Sequence, residues 1–270
     1  MSKFIAAMDN SGGSAGGVLD LYQQGWTDED KMEKIHEFRL RMMAADKFNL
    51  DNIWGCILYK DSVDRGAVPH LTAMGIRSIL KVDSGCNDNG TLKDFDVDAM
   101  CEYAVENGCY GTKMRSVVHK QEDLAEIVEQ QFALARTIAS YELIPIIEPE
   151  VPITHENSHK NDIEVQLLEL LEQHLAEFDA RCILKLTLPE QPTLYDHLVD
   201  MDAVDWVVAL SGGYSLDECC SRLRQNTMGA SFSRALSEGL LFHQTDAEFN
   251  AKINNNIERI VEASTTRITT

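Results

Sequence analysis

Apolar positions along the chain fall into two patterns that take turns. Short runs rich in β-branched residues have the length and composition of strands. They are FIAAM (4–8), IWGCILY (53–59), RSILKV (77–82), CYGTKM (109–114), LIPIIE (143–148), CILKLT (182–187), WVVAL (206–210) and ASF (230–232). Between them the apolar period becomes helical. Leu124, Ile127, Val128, Phe132 and Ile138 share one face, as do Ile163, Leu167, Leu170, Leu171, Leu175 and Phe178. Phe249, Ile253, Ile257 and Ile260 form a third such face. Strands alternating with helices imply right-handed βαβ units on a parallel sheet. Eight units in about 250 residues predict an α/β fold, a single-domain (β/α)8 TIM barrel over 1–270. An open doubly wound sheet is the alternative. SGGSAGG (11–17) follows the first strand, but it is not G-x-G-x-x-G, and no acidic residue ends a second strand at the right distance.

Residues two apart on a strand share a face. Polar residues gather at the C-terminal end of strand after strand: Asp9 and Ser11, Lys81 and Asp83, Lys113 and Arg115, Glu148 and Glu150, Lys185 and Thr187, then Ser211. Barrel enzymes build their sites at this end. Lys185 stands inside the apolar run ILKLTLP, where alternation turns Ile183, Lys185 and Thr187 inward and Leu184, Leu186 and Leu188 toward the helices. A buried ammonium is costly. Like charges and partial desolvation are what turn a lysine into a nucleophile, and Lys81, Lys113 and Arg115 would share the same mouth. Glu148 and Asp9 would supply general acid and base groups from other strands. LSGGYS (210–215) offers Ser211, Gly212 and Gly213 as an anion cradle ahead of a helix, and FSRAL (232–236) adds Arg234.

Composition narrows the partners. The chain has 270 residues, 44% hydrophobic and 25% charged, with a net charge of −20. That balance argues against nucleic acid or an anionic membrane surface as partner, while leaving a local cationic mouth free to attract a phosphorylated small molecule. No apolar stretch approaches the roughly 18 residues that span a bilayer, and MSKFIAAMDN is too short to be a signal peptide. Seven irregularly spaced cysteines without a C-x-x-C pair read as reduced thiols, so the expected location is cytoplasmic. Cys219–Cys220 and Met42–Met43 read as packing residues.

These stretches resemble class I fructose-1,6-bisphosphate aldolase, in the short bacterial form of that family. FIAAMDNSGGS (4–14), LKVDSG (80–85), YGTKMRS (110–116), PIIEPEV (145–151), ILKLTLP (183–189), VALSGGYS (208–215) and ASFSRAL (230–236) match in order, one per barrel strand apart from the second. The resemblance implies a cofactor-free, metal-independent cleavage of a sugar bisphosphate through an imine. Lys185 would form the Schiff base, and Glu148 would shuttle protons during imine formation. Asp9 would assist deprotonation of the C4 hydroxyl, and Lys113 would stabilise charge beside the imine and keep the nucleophile a free amine. Ser211, Gly212, Gly213 and Arg234 would hold the 1-phosphate; Ser11, Ser14, Lys81 and Arg115 would hold the 6-phosphate end; Glu150 is a further site residue.

Departures from the longer animal enzymes are visible. Asn10 stands where they carry a glutamate, and FSRAL is shorter than their equivalent turn. The chain ends in RITT without their terminal tyrosine, so the group serving that proton transfer is unassigned. Their longer N-terminal arm is missing too, so a homo-oligomer is open and their tetramer is not assumed. Preference for the C4 epimer tagatose 1,6-bisphosphate is an alternative, as are a metal-dependent aldolase or isomerase and a non-catalytic phosphosugar-binding barrel. THENSH (154–159) contains a formal H-E-x-x-H but reads as a polar loop rather than a zinc helix. DFDVD (94–98) lacks the glycine and distant glutamate of a calcium loop.

Overall fold

The computed structural model describes residues 3–9 and 27–264. In chain order these form β1 (Phe4–Met8), α1 (Asp28–Met43), β2 (Ile53–Leu58), α2 (Lys60–Asp64), α3 (Ala67–Ala73), β3 (Arg77–Lys81), α4 (Val97–Glu106) and β4 (Gly111–Val117). There follow α5 (Leu124–Ser140), β5 (Ile144–Glu150), α6 (Asn157–Ala176), β6 (Cys182–Thr187), β7 (Val204–Leu210), α7 (Leu216–Leu223), β8 (Gly229–Ala230) and α8 (Asp246–Ala263). The strands pair in the order β1 to β8, every neighbour parallel. The Ala7 amide donates to the Phe232 carbonyl at 3.3 Å and brings the last strand back to the first. The architecture is the expected (β/α)8 barrel.

Alternation along the strands sorts the apolar residues into two bodies. Ile5, Ala7, Ile57, Ile79, Ile146, Ile183 and Val208 fill the barrel interior above Trp54 and Trp206. Leu184, Leu186 and Leu188 belong to the outer core, against the helices. Removing such side chains from water stabilises the fold by about 1.5–3 kcal/mol each. The two tryptophans meet edge to face, 5.6 Å between centroids, and close the lower end. The last strand, Gly229–Ala230, starts one residue earlier and is one residue shorter than expected. A Cβ on Gly229 would lie 2.3 Å from Trp206 Cζ2, so only glycine lets the strand pass that ring.

Three other elements differ from the pattern. Strands β4 and β5 run on to Val117 and Glu150, which carries Arg115 and Glu150 on paired strands. Between β6 and β7 a 3-10 turn, Asp196–Asp200, takes the place of a helix. Pro189 and Pro192 precede it and disfavour a continuous helix, while Tyr195 and Leu198 are buried and cover the barrel there. Among the described residues no helix is long and apolar enough to cross a membrane. All seven cysteines are free, and Met42, Met43, Cys219 and Cys220 lie in the core.

Candidate active site

Four strands deliver one linked set of charges to the mouth. Lys185 Nζ lies 3.0 Å from Glu148 Oε1. The other oxygen of that carboxylate, Oε2, is 3.0 Å from Lys113 Nζ. Lys113 Nζ is in turn 2.7 Å from Asp9 Oδ2. The order is therefore Lys185–Glu148–Lys113–Asp9, and all four side chains are buried. Beneath them lies the apolar cluster of the barrel interior, so this is the level at which the barrel changes from packing to charge.

The ladder between β5 and β6 is paired at Ile146–Ile183 and Ile147–Leu184. Above it, Thr187 holds the strands together with its hydroxyl, which donates to the Val151 carbonyl at 2.9 Å and accepts from the Val151 amide at 3.0 Å. Glu148 and Lys185 stand between these two fastenings. Thr187 is thus a brace between β5 and β6 at the mouth.

Electrostatics give the set a definite polarity. Burial alone would discharge the Lys113 ammonium, but Asp9 and Glu148, with Asp83 behind them, hold its pKa above the ordinary lysine value. Burial opposes ionisation of Asp9 as well; Lys113 and Lys185 overcome it and hold that carboxyl far below its usual range. Glu148 behaves likewise, with burial opposed first by Lys113 and then by Lys185. Lys113 is a fixed cation with a carboxylate on either side. Such a group can stabilise negative charge beside Lys185 without competing for its protons.

The proposed phosphate cradle is assembled across two loops. Gly212 and Gly213 have φ of +57° and +112°, conformations that suit glycine. The turn is fixed by the Tyr214 amide donating to the Ser211 carbonyl at 2.8 Å. A Cβ on Gly213 would lie 3.4 Å from Arg234 Nη2, so the guanidinium sits directly against the glycine backbone. The Ser215 hydroxyl caps α7 by accepting from the Glu218 amide at 3.2 Å.

At the opposite rim, Lys81 Nζ is 3.4 Å from Asp83 Oδ1, and Arg115 Nε is 2.5 Å from Glu150 Oε2. Both cations expected at the 6-phosphate end have carboxylate partners, and Glu150 serves Arg115. Asp83 also accepts from the Arg115 and Gly85 amides, each at 3.1 Å, and so joins the ends of β3 and β4. Ser11 and Ser14 lie outside the described residues.

One buried cation near the mouth was missed. Arg39 on α1 is 4% exposed and donates to Ser62 Oγ at 2.8 Å. Burial pulls its pKa down, and Asp9 is the first of the charges that oppose this. Its signal was a charge inside an apolar helical face, between Ile35 and Met42. His155 and His159 also depart from expectation. THENSH enters α6 at Asn157 instead of remaining a loop, and the two rings stand edge to face at 5.3 Å. His155 Nε2 is 3.0 Å from the Val118 carbonyl.

No protein-family model matches the chain. Curated relatives do. A class 1 fructose-bisphosphate aldolase of Clostridium acetobutylicum is 39% identical over 284 residues, covering 97% of this chain and 95% of the relative. Its counterpart in a Synechocystis species is 40% identical over 283 residues, covering 97% and 94%. Among solved structures, the chain is similar to the fructose-bisphosphate aldolase of Plasmodium falciparum, with TM-score 0.77, 20% identity and coverage of 98% and 90%. It is also similar to an archaeal fructose-1,6-bisphosphate aldolase whose catalytic lysine carries the carbinolamine intermediate, with TM-score 0.55, 14% identity and coverage of 98% and 94%. At those identities the structural likeness concerns the fold.

Fold and relatives together define the class as a barrel aldolase. The chain belongs to the class 1 fructose-bisphosphate aldolase family.

Proposed function

We propose that this protein reversibly cleaves fructose 1,6-bisphosphate to dihydroxyacetone phosphate and glyceraldehyde 3-phosphate through an imine on Lys185. The observation that carries the reading is the Lys185–Glu148–Lys113–Asp9 order in a mouth that the family uses for this chemistry. The amine of Lys185 adds to the C2 carbonyl of the open-chain sugar. Glu148, 3.0 Å from Nζ, moves protons between nitrogen and oxygen so that the carbinolamine loses water. Asp9, held ionised by Lys113, accepts the C4 hydroxyl proton. The C3–C4 bond then breaks, and its electron pair passes into the protonated imine to give an enamine. Glyceraldehyde 3-phosphate departs first. Protonation at C3 and addition of water release dihydroxyacetone phosphate and regenerate the amine.

Ser211, Gly212, Gly213 and Arg234 hold the 1-phosphate in this reading, beside the nucleophile strand. Lys81 and Arg115, with Ser11 and Ser14, receive the 6-phosphate, exchanging some contact with Asp83 and Glu150 for the anion. The cytoplasm is the proposed setting, in keeping with seven free thiols. Purified protein should cleave fructose 1,6-bisphosphate in a coupled assay and lose no activity in excess chelator, because the imine is the electron sink. Tagatose 1,6-bisphosphate assayed in parallel measures the choice at C4. Activity that disappears with the chelator and returns with a divalent metal would refute the imine route.

A further inference from the structure

Behind the mouth, on the helix side of β6, lies a second buried ion network that the reaction does not use. Lys160 on α6 is fully buried. Its ammonium is 2.5 Å from Glu164 Oε1, 3.2 Å from Glu190 Oε1, and donates to the Leu188 carbonyl at 3.0 Å. Glu164 Oε2 accepts the Glu190 amide at 2.9 Å. Glu190 Oε1 also accepts from the Tyr214 hydroxyl at 3.3 Å and lies 3.3 Å from Arg222 Nη1. The Arg222 guanidinium covers the Tyr214 ring at 4.5 Å.

Stability is a poor explanation for this arrangement. Apolar residues of similar volume commonly do as well as a buried ion pair, because taking charges out of water offsets their attraction. What apolar residues cannot do is aim a carbonyl and an amide. Here the network binds the backbone on both sides of Pro189, three and five residues beyond Lys185. Through Tyr214 the same carboxylate reaches the turn that carries Ser211, Gly212 and Gly213.

We infer that Lys160, Glu164 and Glu190 are positioning residues that set the distance between the nucleophile of Lys185 and the loop that takes the 1-phosphate. This rests on the aldolase reading above. Glu190 is the shared member: it lies in the loop after β6, pairs with Lys160 and accepts the Tyr214 hydroxyl. Burial raises its pKa, but Lys160 first and Arg222 after it bring it below the ordinary value, so it meets Tyr214 as a carboxylate. A misplacement of the order of 1 Å can cost about 100-fold in rate.

The test compares two ketones in borohydride trapping at Lys185: dihydroxyacetone phosphate, which uses the phosphate loop, and dihydroxyacetone, which does not. In Glu190→Gln, trapping of the phosphorylated ketone should slow by about 10-fold to 100-fold, while trapping of dihydroxyacetone stays at the wild-type rate. Tyr214→Phe removes a single hydroxyl and should shift the same ratio in the same direction, by less. It decides the matter if Glu190→Gln fails to fold. Equal slowing of both ketones means a general structural role and overturns the inference, as does an unchanged ratio in the folded variants. Failure of wild-type protein to trap either ketone would instead count against the aldolase reading itself.

Discussion

Lys185→Met is expected to abolish aldol cleavage and to leave the barrel folded. Methionine is unbranched, close to lysine in length and apolar, so it fits the space between Ile183 and Thr187 without a new demand on the interior. Glu148 loses one cationic neighbour but keeps Lys113 at 3.0 Å, so no carboxylate is left buried without a counter-charge. The loss is chemical. Without the amine no imine forms, and the electron pair of the breaking C3–C4 bond has nowhere to go. Turnover should fall by on the order of 10^4-fold to 10^6-fold, the scale that deleting a covalent nucleophile produces. The far-ultraviolet circular dichroism spectrum should match wild type, and the substrate should still bind. Measurable cleavage by this variant beyond a trace of wild-type contamination would refute covalent catalysis through Lys185.

Lys113→Met should be harmful in a different way. Lys113 is the only side chain in the set with a carboxylate on each side, Asp9 at 2.7 Å and Glu148 at 3.0 Å. Breaking a buried pair from one side costs roughly 3–5 kcal/mol, because the remaining charge loses its partner. The expected outcome is a less stable but folded protein whose kcat/KM is lower by roughly 10^2-fold to 10^4-fold. The pH dependence carries the sharper signature. In wild type, burial would raise the Glu148 pKa, and Lys113 is the foremost charge that holds it down. With Lys113 gone, burial acts with less opposition, so both Glu148 and Asp9 protonate at higher pH. The acid limb of the kcat/KM profile should move upward. The same sign applies to stability. Carboxylates with depressed pKa values stabilise the fold above their unfolded pKa of about 4 and lose that contribution as pH falls. The variant should therefore also unfold at a higher pH on acid titration. An acid limb identical to wild type would mean that Lys113 does not set the charge state of Glu148.

Much of this arrangement could be read from the pattern of the chain. A lysine in an apolar run, two residues from a threonine and opposite leucines, has one side on which to place its charge, and β6 places it there. The polar ends of β1, β3, β4, β5 and β6 were legible for the same reason, since strand alternation is local. The linkage between them was not, because it depends on barrel stagger, which brings Lys113 to both Asp9 and Glu148. Thr187 looked like a mouth residue beside Lys185, but its hydroxyl is taken up by Val151, a partner 36 positions away in sequence. Arg39 and Lys160 show the other limit. Each lies on a helix close to its apolar face; the pattern can raise the question, as Ile35 and Met42 do for Arg39, but packing is what shows both side chains buried. The need for glycine at 229 was hidden for a steric reason, the Trp206 ring that occupies the place of a side chain there.

Reduction with borohydride in the presence of dihydroxyacetone phosphate, followed by peptide mapping, tests the central assignment most directly. The imine becomes a stable secondary amine at whichever lysine formed it, and three lysines compete in one mouth: Lys81, Lys113 and Lys185. Lys113, paired with two carboxylates and held protonated, should remain unmodified, and Lys81 should too. A single adduct on the peptide containing ILKLTLP, at Lys185, is the expected result. An adduct on Lys113 or Lys81 instead, or no adduct at all, would contradict it.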